Sequence, residues 1–169
     1  AVVSTEIVPP FNNTAVDGYA VRSVDVATVP VELTVVGEIA AGAAPDGNVG
    51  PGETIRIMTG APMPPGADAV VMVEYSERID EDNAGNERVR LSESVAAGTA
   101  IRGAGDGVVV GEELFFEGTQ ITPAIEGVLA SINAQEIRVY PLLKVAVLST
   151  GDELITDGST LAPGQIRES

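Results

Sequence analysis

Cysteine, histidine and tryptophan are absent from this 169-residue chain, and its aromatic residues are limited to three Phe and three Tyr. Without cysteine there is no disulfide framework and no thiol nucleophile. Without histidine there is no Ser-His-Asp triad, and neither residue is there to build a zinc-finger spacing. Basic side chains are also scarce: 9 Lys and Arg stand against 25 Asp and Glu, for a formal charge of −16. A field of that sign repels a phosphate backbone, so no nucleic-acid partner is expected. No apolar run approaches the ~18 residues of a membrane span. Ala1-Val2-Val3-Ser4-Thr5-Glu6 resembles neither a basic leader nor a signal-peptide core. A cytoplasmic protein without a membrane partner is the expectation.

What remains for chemistry is carboxylates, hydroxyls, backbone amides and a few cations. Oxygen donors of that kind select hard metal ions such as Mg²⁺. The hydrophobic fraction of 44% against 20% charged residues is that of a folded globular chain.

Glycine and proline, 19 and 11 residues, punctuate short β-like runs. Val31-Glu32-Leu33-Thr34-Val35 alternates with the period of a half-buried strand, and Thr54-Ile55-Arg56-Ile57-Met58 reads as another. Ala69-Val70-Val71-Met72-Val73 is more continuously apolar. Glu87-Arg88-Val89-Arg90-Leu91 alternates again, with Asp82-Asn83-Ala84-Gly85-Asn86 before it as a hairpin tip. The first part of the chain is therefore expected to be a β-rich barrel or sandwich.

After it, Thr122 and Pro123 suit the N-cap and first position of a helix, and Ile125, Val128, Leu129 and Ile132 share one face. Leu143-Lys144-Val145-Ala146-Val147-Leu148 is almost wholly apolar, the pattern of a parallel strand covered on both faces. Such a strand needs neighbours and a crossover connection that the remaining residues do not supply. The expectation is a fragment that stops shortly after entering an α/β domain.

Four polar clusters interrupt this framework. In Asn12-Asn13-Thr14-Ala15-Val16-Asp17-Gly18, Asp17 offers a carboxylate from a turn, with Arg22 as an ion-pair partner or anion ligand, although a turn alone explains the dipeptide. In Met58-Thr59-Gly60-Ala61-Pro62, the Thr59 hydroxyl and Gly60 amide could hold an oxyanion, or the segment is simply a loop. Asp106 lies in Arg102-Gly103-Ala104-Gly105-Asp106-Gly107, a close-approach loop or a plain turn. Ser149-Thr150-Gly151-Asp152-Glu153 presents two adjacent carboxylates, suited either to Mg²⁺ with phosphate oxygens or to helix capping.

Taken in order, Pro9-Pro10-Phe11-Asn12-Asn13-Thr14-Ala15-Val16-Asp17-Gly18-Tyr19-Ala20-Val21-Arg22, Arg56-Ile57-Met58-Thr59-Gly60-Ala61-Pro62, Gly66-Ala67-Asp68-Ala69-Val70-Val71-Met72 and Val147-Leu148-Ser149-Thr150-Gly151-Asp152-Glu153-Leu154 resemble the MoeA family. These are the molybdopterin molybdenumtransferases, to which the C-terminal part of gephyrin is related. Pro163-Gly164-Gln165-Ile166-Arg167-Glu168-Ser169 resembles that family's entry into its molybdopterin-binding domain.

The resemblance implies a mainly β fold with a small α/β part. Residues 1–107 would be the β-rich domain, 108–140 a linker-domain segment, and 141–169 the start of a truncated molybdopterin-binding domain. It implies insertion of molybdate into adenylylated molybdopterin with release of AMP, in a homodimer. Asp17, Thr59, Asp106 and Glu153 would be the catalytic positions, with Glu153 holding Mg²⁺. This chain alone would be inactive, because the family's basic groups and glycine-rich loops lie in domains it lacks. Two further readings compete: a non-catalytic, gephyrin-like scaffold, and an acidic Ca²⁺-binding β domain. The first is weakened by the few aromatics, the second by the absence of a Ca²⁺-loop pattern.

Overall fold

The computed structural model describes residues 1–79, 85 and 87–168. Its strands, in chain order, are β1 (Val2–Val3), β2 (Asn13–Thr14), β3 (Gly18–Val21), β4 (Val31–Ile39), β5 (Glu53–Ile57) and β6 (Ala69–Met72). They continue with β7 (Ser76–Ile79), β8 (Arg88–Leu91), β9 (Ile101–Arg102), β10 (Glu113–Phe115), β11 (Leu154–Ile155) and β12 (Ile166–Arg167), with one helix, α1 (Pro123–Ser131), between β10 and β11. The chain divides into two compact units, Ala1–Glu136 and Ile137–Ser169.

The first unit is built on a curled six-stranded half-barrel in the order β6-β3-β5-β4-β8-β7. All pairings in it are antiparallel except β4–β5, whose register shifts between Val35 and Glu38. One end of the sheet is covered on both faces. Tyr19, Val21, Ala69 and Val71 enter one apolar cluster with Leu33, Val89 and Leu91. Ala20 and Val70, pointing the other way, join Ile39, Ile55, Ile57 and Ala61 in a second. This two-sided burial is why 69–72 reads as an uninterrupted apolar run.

The other end is covered on one face only. Val89 and Leu91 point inward, each burial contributing roughly 1.5–3 kcal/mol. Arg88 and Arg90 point out and pair with Glu32, and Arg90 also reaches Glu77. Alternation in the sequence thus becomes an ion-pair row across β4, β8 and β7. The segment between β7 and β8, where the sequence suggests a hairpin tip, lies largely outside the described residues.

Helix α1 starts where the sequence places it. Thr122 is extended, its hydroxyl accepts from the Ile125 N–H, and Pro123 follows. Leu129 and Ile132 are buried on the expected face, with Ile125 and Val128 half-buried beside them.

The expected strand at 143–148 does not form. Residues 134–151 contain neither helix nor strand, and Leu142 and Val147 are 94% and 87% exposed. An extended apolar segment becomes a strand only when neighbours take its main-chain hydrogen bonds and helices cover its faces. This segment has neither here. The ordered pairing in the second unit is the short parallel pair β11–β12, with Leu154 opposite Ile166 and Ile155 opposite Arg167.

Candidate functional site

Three of the four clusters meet on the short strand β2. On one side, the Gly60 N–H donates to the Thr14 carbonyl (2.9 Å) and the Thr14 N–H to the Ala61 carbonyl (3.1 Å). The Met63 N–H reaches the Asn12 carbonyl at 2.9 Å. On the other side β2 pairs with β9, Asn13 opposite Arg102 and Thr14 opposite Ile101. The Asn12 side-chain oxygen accepts from the Ala104 N–H (2.9 Å), and the Arg102 guanidinium donates to the Thr14 carbonyl (3.2 Å). Segments around residues 12, 61 and 102 are thereby laced together through main-chain bonds.

Asp17 and Thr59 are in direct contact. One Asp17 carboxylate oxygen accepts both the Thr59 N–H and the Thr59 hydroxyl, each at 2.6 Å. The position of Asp17 follows from the glycine after it. A Cβ on Gly18 would stand 2.1 Å from the Val71 carbonyl oxygen, so only glycine lets β6 approach β3 this closely. Thr59 is placed by the turn that ends β5, where Gly60 adopts φ +82°.

The two hydrogen bonds, above all the one from the Thr59 hydroxyl, hold the Asp17 carboxyl below its ordinary range; the charge of Arg56 adds to them. Asp17 therefore stays ionised at neutral pH and is a weak general base. The Thr59 proton is committed to Asp17, so the hydroxyl turns lone pairs outward. The exposed pair offers acceptors, a surface for a cation, a proton donor or an oriented water.

Of the two readings of Thr59 and Gly60, an oxyanion would find no free donors there. The Gly60 amide is bound to Thr14, and both Thr59 donors are bound to Asp17. Nor does Arg22 pair with Asp17. Its guanidinium lies 3.7 Å from Asp25, whose carboxylate also accepts from the Gly52 N–H. Thr14 and Asp17 lie far in sequence from Gly60 and Thr59, beyond the reach of local spacing, whereas Asp25 is only three residues after Arg22.

Asp106 stands on the β9 side of this lacing and closes its own loop. Its carboxylate accepts from the Gly103 N–H at 2.6 Å, and its N–H donates to the Gly103 carbonyl. It makes no hydrogen bond to Asp17 or Thr59. Glu153 lies in the second unit, exposed, just before Leu154 of β11, and its carbonyl accepts from the Ile166 N–H (2.8 Å). Among the described residues no three Asp or Glu side chains cluster as a ready-made metal cage.

Two contributors escaped sequence reading. Arg56 acts electrostatically on Asp17, and the Asn12 side chain bridges to the Ala104 N–H. For Arg56 there was a signal, since it sits three residues before Thr59 on a strand. For Asn12 there was none. Thr14 behaves as a hydroxyl in a turn should, bonding Val16 through both its donor and its acceptor.

The curled half-barrel fold is shared with known structures. Two structures of the molybdopterin biosynthesis MoeA protein from Pyrococcus horikoshii match 99% of this chain, at 33% and 34% identity with TM-scores of 0.85 and 0.73. Residues 1–133 match the family model described as the MoeA N-terminal region (domain I and II), and the chain belongs to that family. It is 40% identical over 172 residues to the molybdopterin molybdenumtransferase 2 of Mycobacterium tuberculosis H37Rv, and 36% identical over 166 residues to the molybdopterin molybdenumtransferase of Bacillus subtilis 168. Those alignments cover 99% and 96% of this chain but 41% and 38% of the relatives. The chain thus spans about two fifths of the length of the curated relatives it matches.

Proposed function

We propose that this chain is the β-rich part of a molybdopterin molybdenumtransferase, which inserts molybdate into adenylylated molybdopterin and releases AMP. Membership of the MoeA N-terminal family supports the role in molybdenum-cofactor biosynthesis. The observation that carries the site assignment is the Asp17–Thr59 pair, joined across 42 residues of sequence by two short hydrogen bonds. Ser23 and Asp68 make a similar two-bond contact elsewhere in the fold, so the Asp17–Thr59 pair supports a site through its place beside the three laced loops. Two donors on one exposed carboxylate oxygen fix its direction and charge, which is what a preorganised site requires.

In this reading Asp17 and Thr59 form one unit facing the substrate, and Asp106 shapes the neighbouring loop. Glu153, in the second unit, is the proposed Mg²⁺ ligand for the nucleotide phosphates. Its hard carboxylate oxygens fit Mg²⁺, and Asp152 beside it can add another; further ligands would have to be phosphate oxygens and water. Bound there, Mg²⁺ would neutralise phosphate charge that two acids and a chain of net charge −16 otherwise repel. The domain division at about residues 107 and 140, and a homodimer whose subunits share the site, belong to the same proposal.

The test uses the protein at the full length of its relatives. Asp17→Asn and Glu153→Gln variants should fold as wild type yet lose Mg²⁺-dependent formation of molybdenum cofactor and AMP, each by at least about 100-fold. Wild-type turnover in both variants overturns the assignment. The isolated 169-residue chain should show no turnover.

A further inference from the structure

The first unit holds six arginines: Arg22, Arg56, Arg78, Arg88, Arg90 and Arg102. Five are engaged by the protein itself. Arg22 pairs with Asp25, Arg78 with Glu87, Arg88 with Glu32, Arg90 with Glu32 and Glu77, and Arg102 donates to a main-chain carbonyl. Arg56 has neither a hydrogen bond nor an ion pair among the described residues. In a chain with 25 acids, a cation without a hydrogen-bonded or ion-paired carboxylate is an exception.

Proximity to acids does not explain the gap away. The β5 register sets Arg56 opposite Tyr19 on β3 and opposite Glu38 on β4, yet no ion pair forms with Glu38. Arg56 is half-buried in the sheet, three residues before Thr59, and its charge is felt at Asp17. On the same row, Tyr19 is fully buried with its hydroxyl unpartnered. A half-buried guanidinium without a protein partner keeps its N–H donors on water, which an anionic ligand can displace.

We infer that Arg56 binds a tetrahedral oxyanion of the substrate next to the Asp17–Thr59 pair, making it the anion ligand of this half of the site. This rests on the molybdenumtransferase reading and removes a difficulty in it. Asp17 alone would repel molybdate and phosphate, whereas a planar fork beside it can grip either in bidentate fashion. The oxyanion is either free molybdate or the phosphoryl group of the adenylylated pterin.

The full-length protein carrying Arg56→Gln, Arg56→Lys or Arg90→Gln is assayed for transfer against increasing sodium molybdate, and separately against increasing adenylylated molybdopterin. Arg56→Gln should raise KM for one of the two by about tenfold or more, with kcat changed much less, and Arg56→Lys should recover part of the loss. The titration that moves names the oxyanion. Arg90→Gln, with the same change in net charge on the distant ion-pair row, should stay within about twofold of wild type in both. Both KM values unchanged in Arg56→Gln, while Asp17→Asn abolishes transfer, would overturn the inference and leave the site assignment standing. A fall in kcat alone, or equal effects from Arg56→Gln and Arg90→Gln, would overturn it too. Wild-type turnover in Asp17→Asn would instead remove the site assignment beneath it. Should Arg56→Gln fail to fold, the KM values of Arg56→Lys supply the same decision.

Discussion

Thr59 gives both its N–H and its hydroxyl to a single carboxylate oxygen of Asp17, at 2.6 Å each, from the far end of a neighbouring strand. The pair is exposed, so its bonds add little to global stability. Their effect is local: they fix where the Asp17 charge points and keep it ionised.

Gly18 sets the position of that charge. With the Val71 carbonyl oxygen 2.1 Å from where a Cβ would stand, Gly18→Ala must push β6 away from β3. A backbone atom cannot swing aside as a side chain does, so the cost should be about 3 kcal/mol. Gly60→Ala meets no atom within 4 Å and only strains a φ of +82°, for about 1 kcal/mol. Urea denaturation of the two variants should rank them in that order. The reverse order would contradict the strand contact.

Tyr19→Phe should be neutral or stabilising by about 1 kcal/mol, because it deletes a hydroxyl that is buried without a partner. Thermal unfolding measures it. A loss of stability of that size would mean that the hydroxyl has a partner.

Acid should weaken the sheet through Glu32. The Arg90 hydrogen bond, with the Arg88 and Arg90 charges, holds its carboxyl below the ordinary glutamate range. A lowered folded-state pKa means stabilisation that is fully present above the unfolded pKa of about 4.3 and lost as pH falls through the folded value. Glu32→Gln should therefore flatten the fall in stability below about pH 5, and added salt should shrink the difference. Asp17 works in the same direction through Thr59.

Most of the half-barrel was legible along the chain because its strands announce their surroundings. The alternation of 87–91 matches one buried face, and the apolar run at 69–72 matches two. The Thr122-Pro123 helix start is a local signal and forms locally. The run at 143–148 carries the same signal as 69–72 but remains exposed, since a strand also needs partners. For the site, motif order pointed to Asp17 and Thr59, while their contact and the cross-link through Asn12 arise only from tertiary folding. Of the alternatives open at these positions, the Gly60 amide serves the loop by bonding Thr14, and Arg22 pairs with its near neighbour Asp25.

The most direct test of the account is a double-mutant cycle on the full-length enzyme, with Asp17→Asn, Thr59→Val and the two combined, read as the rate of molybdenum-cofactor formation. If carboxylate and hydroxyl act as one unit, either single change removes most of the rate and the double variant is no slower than the worse single one. Independent, multiplying losses, or a Thr59→Val enzyme as fast as wild type, would contradict it.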